Sequence, residues 1–179
     1  MKQARNLSIE QKRYGGIRLC GRCLGTKPDR AHHCRQCNRC ILKMDHHCPW
    51  VGNCIGFYNH KFFLNMLLYA SLTSLLVAVT AYPVFVAVLA HEDVQLRIAY
   101  FVITGWILTA TFCLFIAGFF GFHMYLVTNQ YTTIEFCEKR KKSEQFKEGS
   151  PYDRGCFRNF QAVLGRNILL WCCLFNRNL

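Results

Sequence analysis

From Phe62 to Ala90 the chain runs 29 residues without Asp, Glu, Lys or Arg, and from Ile98 to Val127 it runs another 30. A helix needs about 20 apolar residues to cross the hydrocarbon core of a bilayer, and each run exceeds that length. Burying both inside a soluble core would take surrounding layers that a chain of 179 residues cannot supply. The runs are therefore predicted to be two transmembrane helices, with the rest of the chain folding at their ends.

The link between the runs, "HEDVQLR", carries one basic residue, Arg97, whereas 12 Lys and Arg precede the first run and 9 follow the second. By the positive-inside rule both termini face the cytosol and the link faces the lumen or the exterior. The formal charge of +12 admits nucleic acid, anionic lipid and phosphate-bearing ligands as partners. The block Lys139, Arg140, Lys141, Lys142 lies just past the second run, so much of that charge has a membrane-surface explanation. Within the runs, Pro83 is expected to bend the first helix, and Gly105, Ala117, Gly118 and Gly121 to permit close helix contact in the second. Asn65 and His123 are expected near the wet interface.

Residues 1–19 are polar and basic, with no secretory signal, which puts the adjoining cysteine-rich segment in a reducing compartment. The first 61 residues hold 7 of the 12 cysteines and 5 of the 7 histidines but few aliphatic residues, so an apolar core cannot stabilise them. Zinc can. The ligand candidates are Cys20, Cys23, His33, Cys34, Cys37, Cys40, His47 and Cys54, with His32, His46 and Cys48 beside them. Cys20 with Cys23 and Cys34 with Cys37 have the C-x2-C spacing that lets one turn present two sulfurs to a metal.

Neighbours such as His33 and Cys34 are awkward ligands for one tetrahedral ion. The simplest solution interleaves two structural zinc sites, Cys20, Cys23, His33 and Cys40 in one, and Cys34, Cys37, His47 and Cys54 in the other. Structural zinc supplies about 10 kcal/mol or more of folding free energy in small peptides. A single zinc with several unused thiols is the alternative.

Two Cys3His sites use six of the segment's seven cysteines. Spacing alone does not choose the one left over, but chemistry favours Cys48. A thiolate nucleophile wants an imidazole to take its proton, and the imidazole wants a carboxylate to fix its tautomer. Asp45, His46 and Cys48 supply these three groups within four residues.

The stretch "CGRCLGTKPDRAHHCRQCNRCILKMDHHCPWVGNCIGFYNHKFF", Cys20 to Phe63, resembles the cysteine-rich domain of the Asp-His-His-Cys protein S-acyltransferases, the palmitoyltransferases. Ligand spacings, the Asp-His-His-Cys-Pro-Trp run, Asn53 and Asn59 all carry the likeness. "TTIE", Thr132 to Glu135, is similar to the family's Thr-Thr-x-Glu motif, which implies that Thr133 and Glu135 support the active site. Asn159, flanked by Phe157 and Phe160, resembles the asparagine of a C-terminal family motif. The resemblance implies two structural zinc ions, Cys48 as nucleophile, acyl-coenzyme A (palmitoyl-coenzyme A) as donor, and membrane-proximal protein cysteines as acceptors. Lys27, Arg30, His32 and Lys43 are candidates for the phosphates of coenzyme A. Members typically have four membrane helices with this domain between the second and third, so this chain is expected to lack the first two.

The expected fold is an all-α integral membrane protein of two transmembrane helices with a small cytosolic double-zinc domain. Its parts are a basic N-terminal segment (1–19), the cysteine-rich domain (20–61), a first helix (62–90), a lumenal link (91–97), a second helix (98–127) and a cytosolic tail (128–179). The residues leave the membrane open among endomembranes, such as Golgi or endoplasmic reticulum, and the plasma membrane. Two other functions compete with acyl transfer. A zinc module binding nucleic acid is disfavoured by the membrane spans and by the lack of a recognition helix, so nucleic acid is not an expected partner. A catalytically silent membrane adaptor is disfavoured by the intact Asp45, His46 and Cys48. Of the remaining cysteines, Cys113, Cys137, Cys156, Cys172 and Cys173, apolar packing is the favoured account, and "WCCLF" at 171–175 is the best place for acylation.

Overall fold

The computed structural model describes residues 18–91, 93–140 and 149–173. Lys141 and Lys142 of the basic block, most of the N-terminal segment, and the last two residues of "WCCLF" lie outside the described residues. The chain divides into two compact units. One combines Met1–Lys61 with Leu126–Leu179, and the other is Phe62–Tyr125.

The first unit opens with three antiparallel hairpins. They pair β1 (Leu19–Cys20) with β2 (Gly25–Thr26), β3 (His32–Cys34) with β4 (Arg39–Ile41), and β5 (His46–Cys48) with β6 (Asn53–Ile55). Their registers repeat every 14 residues: Cys20 faces Gly25, Cys34 faces Arg39, and Cys48 faces Asn53. The turns repeat as well. Leu24, Asn38 and Gly52, again 14 apart, all take a left-handed conformation, with φ of 50°, 47° and 62°. Isolated hairpins this short are marginal in water, so the repeat needs a stabiliser other than its ladder bonds. The fold as a whole is mostly helical, but this cysteine-rich part is built from hairpins.

Gly56 ends the third hairpin, where a Cβ would meet Ile41 Cγ2 at 2.7 Å and the Leu42 carbonyl at 2.8 Å. Asn59 then staples the hairpin to the next element, its side chain accepting from the Gly56 amide and donating to the Cys54 carbonyl, both at 2.8 Å. Here α1 begins and runs His60–Ala90, followed by α2 (Leu96–Thr128), α3 (Thr133–Arg140) and α4 (Cys156–Leu164), with a 3-10 turn at Ile168–Leu170.

With 31 and 33 residues, α1 and α2 are about 46 and 50 Å long at about 1.5 Å per residue, well beyond the roughly 30 Å of a bilayer core. Pro83 lies inside α1 without ending it. In the second unit Leu76, Val79, Leu108, Leu114 and Phe115 are 62–76% exposed, which suits lipid-facing helices and not the core of a soluble protein. The two helices meet through aromatic residues. Trp106 stacks on Phe85 with centroids 4.3 Å apart, and its indole donates to the Ala78 carbonyl at 2.9 Å. A Cβ built on Gly105, Gly118 or Gly121 would meet nothing within 4 Å, so these glycines do not make the close contact expected of them. His123 is 1% exposed, enclosed by Phe63, Phe119 and Phe122, rather than at a wet interface.

Candidate active site

The eight ligand residues fall into two groups, Cys20, Cys23, His33, Cys40 and Cys34, Cys37, His47, Cys54, with the donor atoms of each group all within 4.8 Å of one another. About 2.3 Å for Zn–S and about 2.0 Å for Zn–N imply tetrahedral edges of roughly 3.8 Å between sulfurs and roughly 3.5 Å between sulfur and nitrogen. His33 Nδ1 lies 3.6, 3.2 and 4.0 Å from the sulfurs of Cys20, Cys23 and Cys40. His47 Nδ1 lies 3.6, 3.4 and 3.6 Å from those of Cys34, Cys37 and Cys54, and Cys37 and Cys54 sulfurs are 3.5 Å apart. Both groups therefore fit a metal ion of zinc's size. In each C-x2-C turn the second cysteine's amide donates to the first sulfur at 3.4 Å. Met44, Ile41 and Ile134 pack around the second group and form the only small apolar cluster there among the described residues.

The hairpin repeat explains why Cys48 stands apart. Each metal group takes the C-x2-C turn of one hairpin and a His and a Cys from the next. Cys48 occupies the position of Cys20 and Cys34, but Val51 stands where Cys23 and Cys37 stand, and α1 follows instead of a fourth hairpin. Side chains alternate along a strand, so His47 points to the metal group while His46 and Cys48 share the opposite face of β5. Cys48 is buried.

His46 Nδ1 bonds Asp45 Oδ2 at 2.7 Å. This contact makes Nδ1 the protonated nitrogen and leaves Nε2 as the basic one. Asp45 is in turn held by the first residue of α3. The Thr133 amide donates to Asp45 Oδ1 at 2.9 Å, and the Thr133 hydroxyl reaches both Asp45 Oδ2 and, at 3.1 Å, its carbonyl. Burial raises the proton affinity of the Asp45 carboxyl, but the His46 bond, the charge of His60 and the two Thr133 bonds outweigh it and hold the group well below the usual carboxylate range. A helix N-terminus favours such an anion, since its first amides lack partners within the helix.

The start of α3 is fixed by a capping box. Thr132 Oγ1 accepts from the Glu135 amide at 3.2 Å, and Glu135 Oε2 accepts from the Thr132 amide at 2.8 Å. Arg30 then clamps Glu135 with Nε and Nη2, each at 2.7 Å from a different carboxylate oxygen. Nη2 also donates to the Gln130 carbonyl at 3.0 Å, and the guanidinium lies 4.2 Å from the centre of the Tyr152 ring. Lys43 donates to Gln130 Oε1 at 2.8 Å, and burial with the Arg30 charge pulls its ammonium down to about 8.

Asn159 is fully buried, and its amide donates to the Thr128 carbonyl and to Asp153 Oδ1, both at 2.7 Å, while Oδ1 accepts from the Arg154 amide at 3.0 Å. It ties the end of α2 to the turn before α4. Of the residues considered for coenzyme A, Arg30 and Lys43 are thus engaged in this internal network. Lys27 and His32 are partly exposed, and burial with the charges of Arg18 and Lys27 lowers the pKa of His32. Gln130, Asp29 and Tyr152 were absent from the sequence-based set. In the sequence, the motif likenesses of Thr132 to Glu135 and of Asn159 were what pointed to this network.

A family model described as "DHHC palmitoyltransferase" matches residues 13–140. Palmitoyltransferase ZDHHC15 of Rattus norvegicus is 41% identical over 158 residues, covering 88% of this chain and 46% of that protein. Palmitoyltransferase PFA3 of Debaryomyces hansenii is 38% identical over 185 residues, covering 92% and 45%. Probable protein S-acyltransferase 13 of Arabidopsis thaliana is 40% identical over 170 residues, covering 92% and 54%. The chain spans about half the length of the curated relatives it matches.

Proposed function

The chain belongs to the DHHC palmitoyltransferase family, and from that premise we propose that it transfers long-chain acyl groups from acyl-coenzyme A to cysteine thiols of proteins at a membrane surface. The observation that carries this reading is Cys48 in a metal-ligand position whose companion ligands are missing, on the same strand face as a histidine oriented by Asp45.

The reaction has two steps. Cys48 Sγ attacks the thioester carbonyl carbon while its proton passes to His46 Nε2. The carbonyl re-forms, the coenzyme A thiolate leaves and takes that proton, and an acyl-Cys48 thioester remains. A substrate thiol then gives its proton to His46 and attacks this thioester, and Cys48 leaves as the thiol after recovering the proton. Asp45 keeps Nδ1 protonated and supports the transient imidazolium, as the carboxylate does in other nucleophile–histidine–acid arrangements. Thr133 fixes Asp45, and Glu135, Arg30 and Asn159 fix the segment that carries Thr133.

Zinc held by both Cys3His groups would supply folding energy and a rigid frame on either side of Cys48, with no part in acyl transfer. We assign the acyl chain to apolar surface of the membrane helices, where each buried methylene is worth about 0.8 kcal/mol of donor affinity. Lys27 and His32 are the residues left to meet coenzyme A phosphates. The membrane is crossed twice, with both ends on the cytosolic side. The test is to incubate zinc-loaded protein with labelled palmitoyl-coenzyme A and map the adduct. A hydroxylamine-sensitive label on Cys48, lost in Cys48→Ser with both metals retained, is expected. Folded protein with two zinc ions that takes up no label would sink the assignment.

A further inference from the structure

Of the chain's four prolines only Pro151 follows a Ser or Thr. It lies in an exposed turn, and the half-buried Ser150 before it makes three contacts. Its hydroxyl donates to the Gln130 carbonyl at 3.0 Å and accepts from the Tyr152 amide at 3.3 Å, while its own carbonyl accepts from the Asp153 amide at 3.1 Å. The Gln130 oxygen that receives the Ser150 hydroxyl also receives Arg30 Nη2, at 3.0 Å. Lys43 is bonded to the side chain of the same Gln130. This half-buried hydroxyl therefore shares its acceptor with the guanidinium that locks Glu135, and through α3 the Thr133–Asp45 contact.

We propose that Ser150 is a phosphorylation site for a proline-directed kinase, and that its phosphate draws Arg30 away from Glu135, freeing the start of α3 and with it the Asp45 carboxylate. In the transfer, Ser150 Oγ bonds to the γ-phosphorus of a nucleoside triphosphate, the hydroxyl proton goes to the kinase's base, and the nucleoside diphosphate leaves. The product has no proton to donate to the Gln130 carbonyl, so the existing contact turns repulsive. It carries a charge of about −1.5 to −2 and three acceptor oxygens, which favour an arginine fork over the single charge of a carboxylate. Among the described residues Arg30 and Lys43 are the cations bonded to Gln130, while Asp29, Asp153 and Glu135 oppose the incoming charge and make the rearrangement a displacement rather than a simple addition.

The test uses the full zinc-loaded chain in lipid nanodiscs, treated with a purified proline-directed kinase and labelled nucleoside triphosphate, alongside Ser150→Ala and a chain made with phosphoserine at 150. One phosphate per wild-type chain and none on Ser150→Ala is expected. Amide hydrogen exchange at Thr133 and Glu135 should rise at least tenfold in the phosphoserine form and less than threefold in Ser150→Ala, because the charge and not the lost hydrogen bond drives the change. Folded chain that stays unlabelled while unfolded chain is labelled at Ser150, or equal exchange in the two altered forms, overturns the proposal. The exchange readout does not depend on acyl transfer. A parallel tenfold fall in acyl loading of Cys48 rests on the function proposed above, so the failure of one reading leaves the other distinguishable.

Discussion

Glu135→Gln tests whether the Arg30–Glu135 clamp holds the start of α3 and, through Thr133, the Asp45 carboxylate. The carboxylate accepts three bonds, from Arg30 Nε at 2.7 Å, Arg30 Nη2 at 2.7 Å and the Thr132 amide at 2.8 Å. Both side chains are nearly dry, 10% and 6% exposed. Glutamine keeps the shape but turns an amide donor toward a guanidinium and strands its charge. Breaking one side of a buried pair costs about 3–5 kcal/mol, while the glutamine oxygen still accepts from the Thr132 amide, so the capping box adds no further cost. Arg30 keeps the Gln130 carbonyl and the Tyr152 ring, which places the total near the lower end, about 3 kcal/mol. That is about 150-fold in the local opening equilibrium of α3 at about 1.4 kcal/mol per tenfold. Site-resolved amide exchange at Thr133 and Glu135 reads it directly. Arg30→Met combined with Glu135→Gln should recover a large part of the loss, since no charge is left stranded. A change below about fivefold in the single variant would refute the view that the clamp carries the start of α3.

Val51→Cys restores the second thiol of the third C-x2-C turn, so Cys48 should become oxidisable to a disulfide. Acyl loading should then fall under oxidant and return with reductant, and indifference to redox state would argue against the hairpin repeat as the origin of Cys48's position. Lys43 has an ordinary value of 10.5 and titrates near 8 in the folded chain, so the unfolded state binds more protons between those values. Its cost is full below pH 8, and stability should rise as pH increases toward 10.5. Lys43→Met should remove that rise in denaturation midpoints measured with zinc present. Gly56→Ala forces a Cβ to 2.7 Å from Ile41 Cγ2 and 2.8 Å from the Leu42 carbonyl, and overpacking of this kind costs about 1–3 kcal/mol. The loss should appear as earlier metal release on denaturant titration.

The membrane helices were legible because a bilayer imposes length and apolarity together, which few other folds demand. The grouping of eight ligands was legible because adjacency forbids His33 and Cys34, or His47 and Cys48, from serving one ion. What spacing could not give was the reason Cys48 is the odd cysteine. That lies in strand register, where Val51 and α1 replace the ligands a third metal would need. The roles of Arg30 and Lys43 were also hidden, because their partners lie 105 and 87 residues away. Isolated cations in a basic segment give no sign of partners so distant in the sequence. The environment of His123 escaped for a similar reason, since a single histidine in an apolar run does not reveal the three phenyl rings around it.

The contact between Asp45 and Thr133 joins residues 88 apart with both long helices between them. During synthesis the hairpins leave the ribosome before Thr133 does, so at that stage the Asp45 carboxylate lacks its partner from α3. If both helices cross the membrane as proposed, the support arrives only when the chain has returned to the side of the hairpins. A protein inserted with one crossing would hold Thr133 on the far face of the bilayer. On the proposed function, correct insertion is thereby a condition for arming Cys48, and a misinserted copy would carry the cysteine in sequence but not its chemistry.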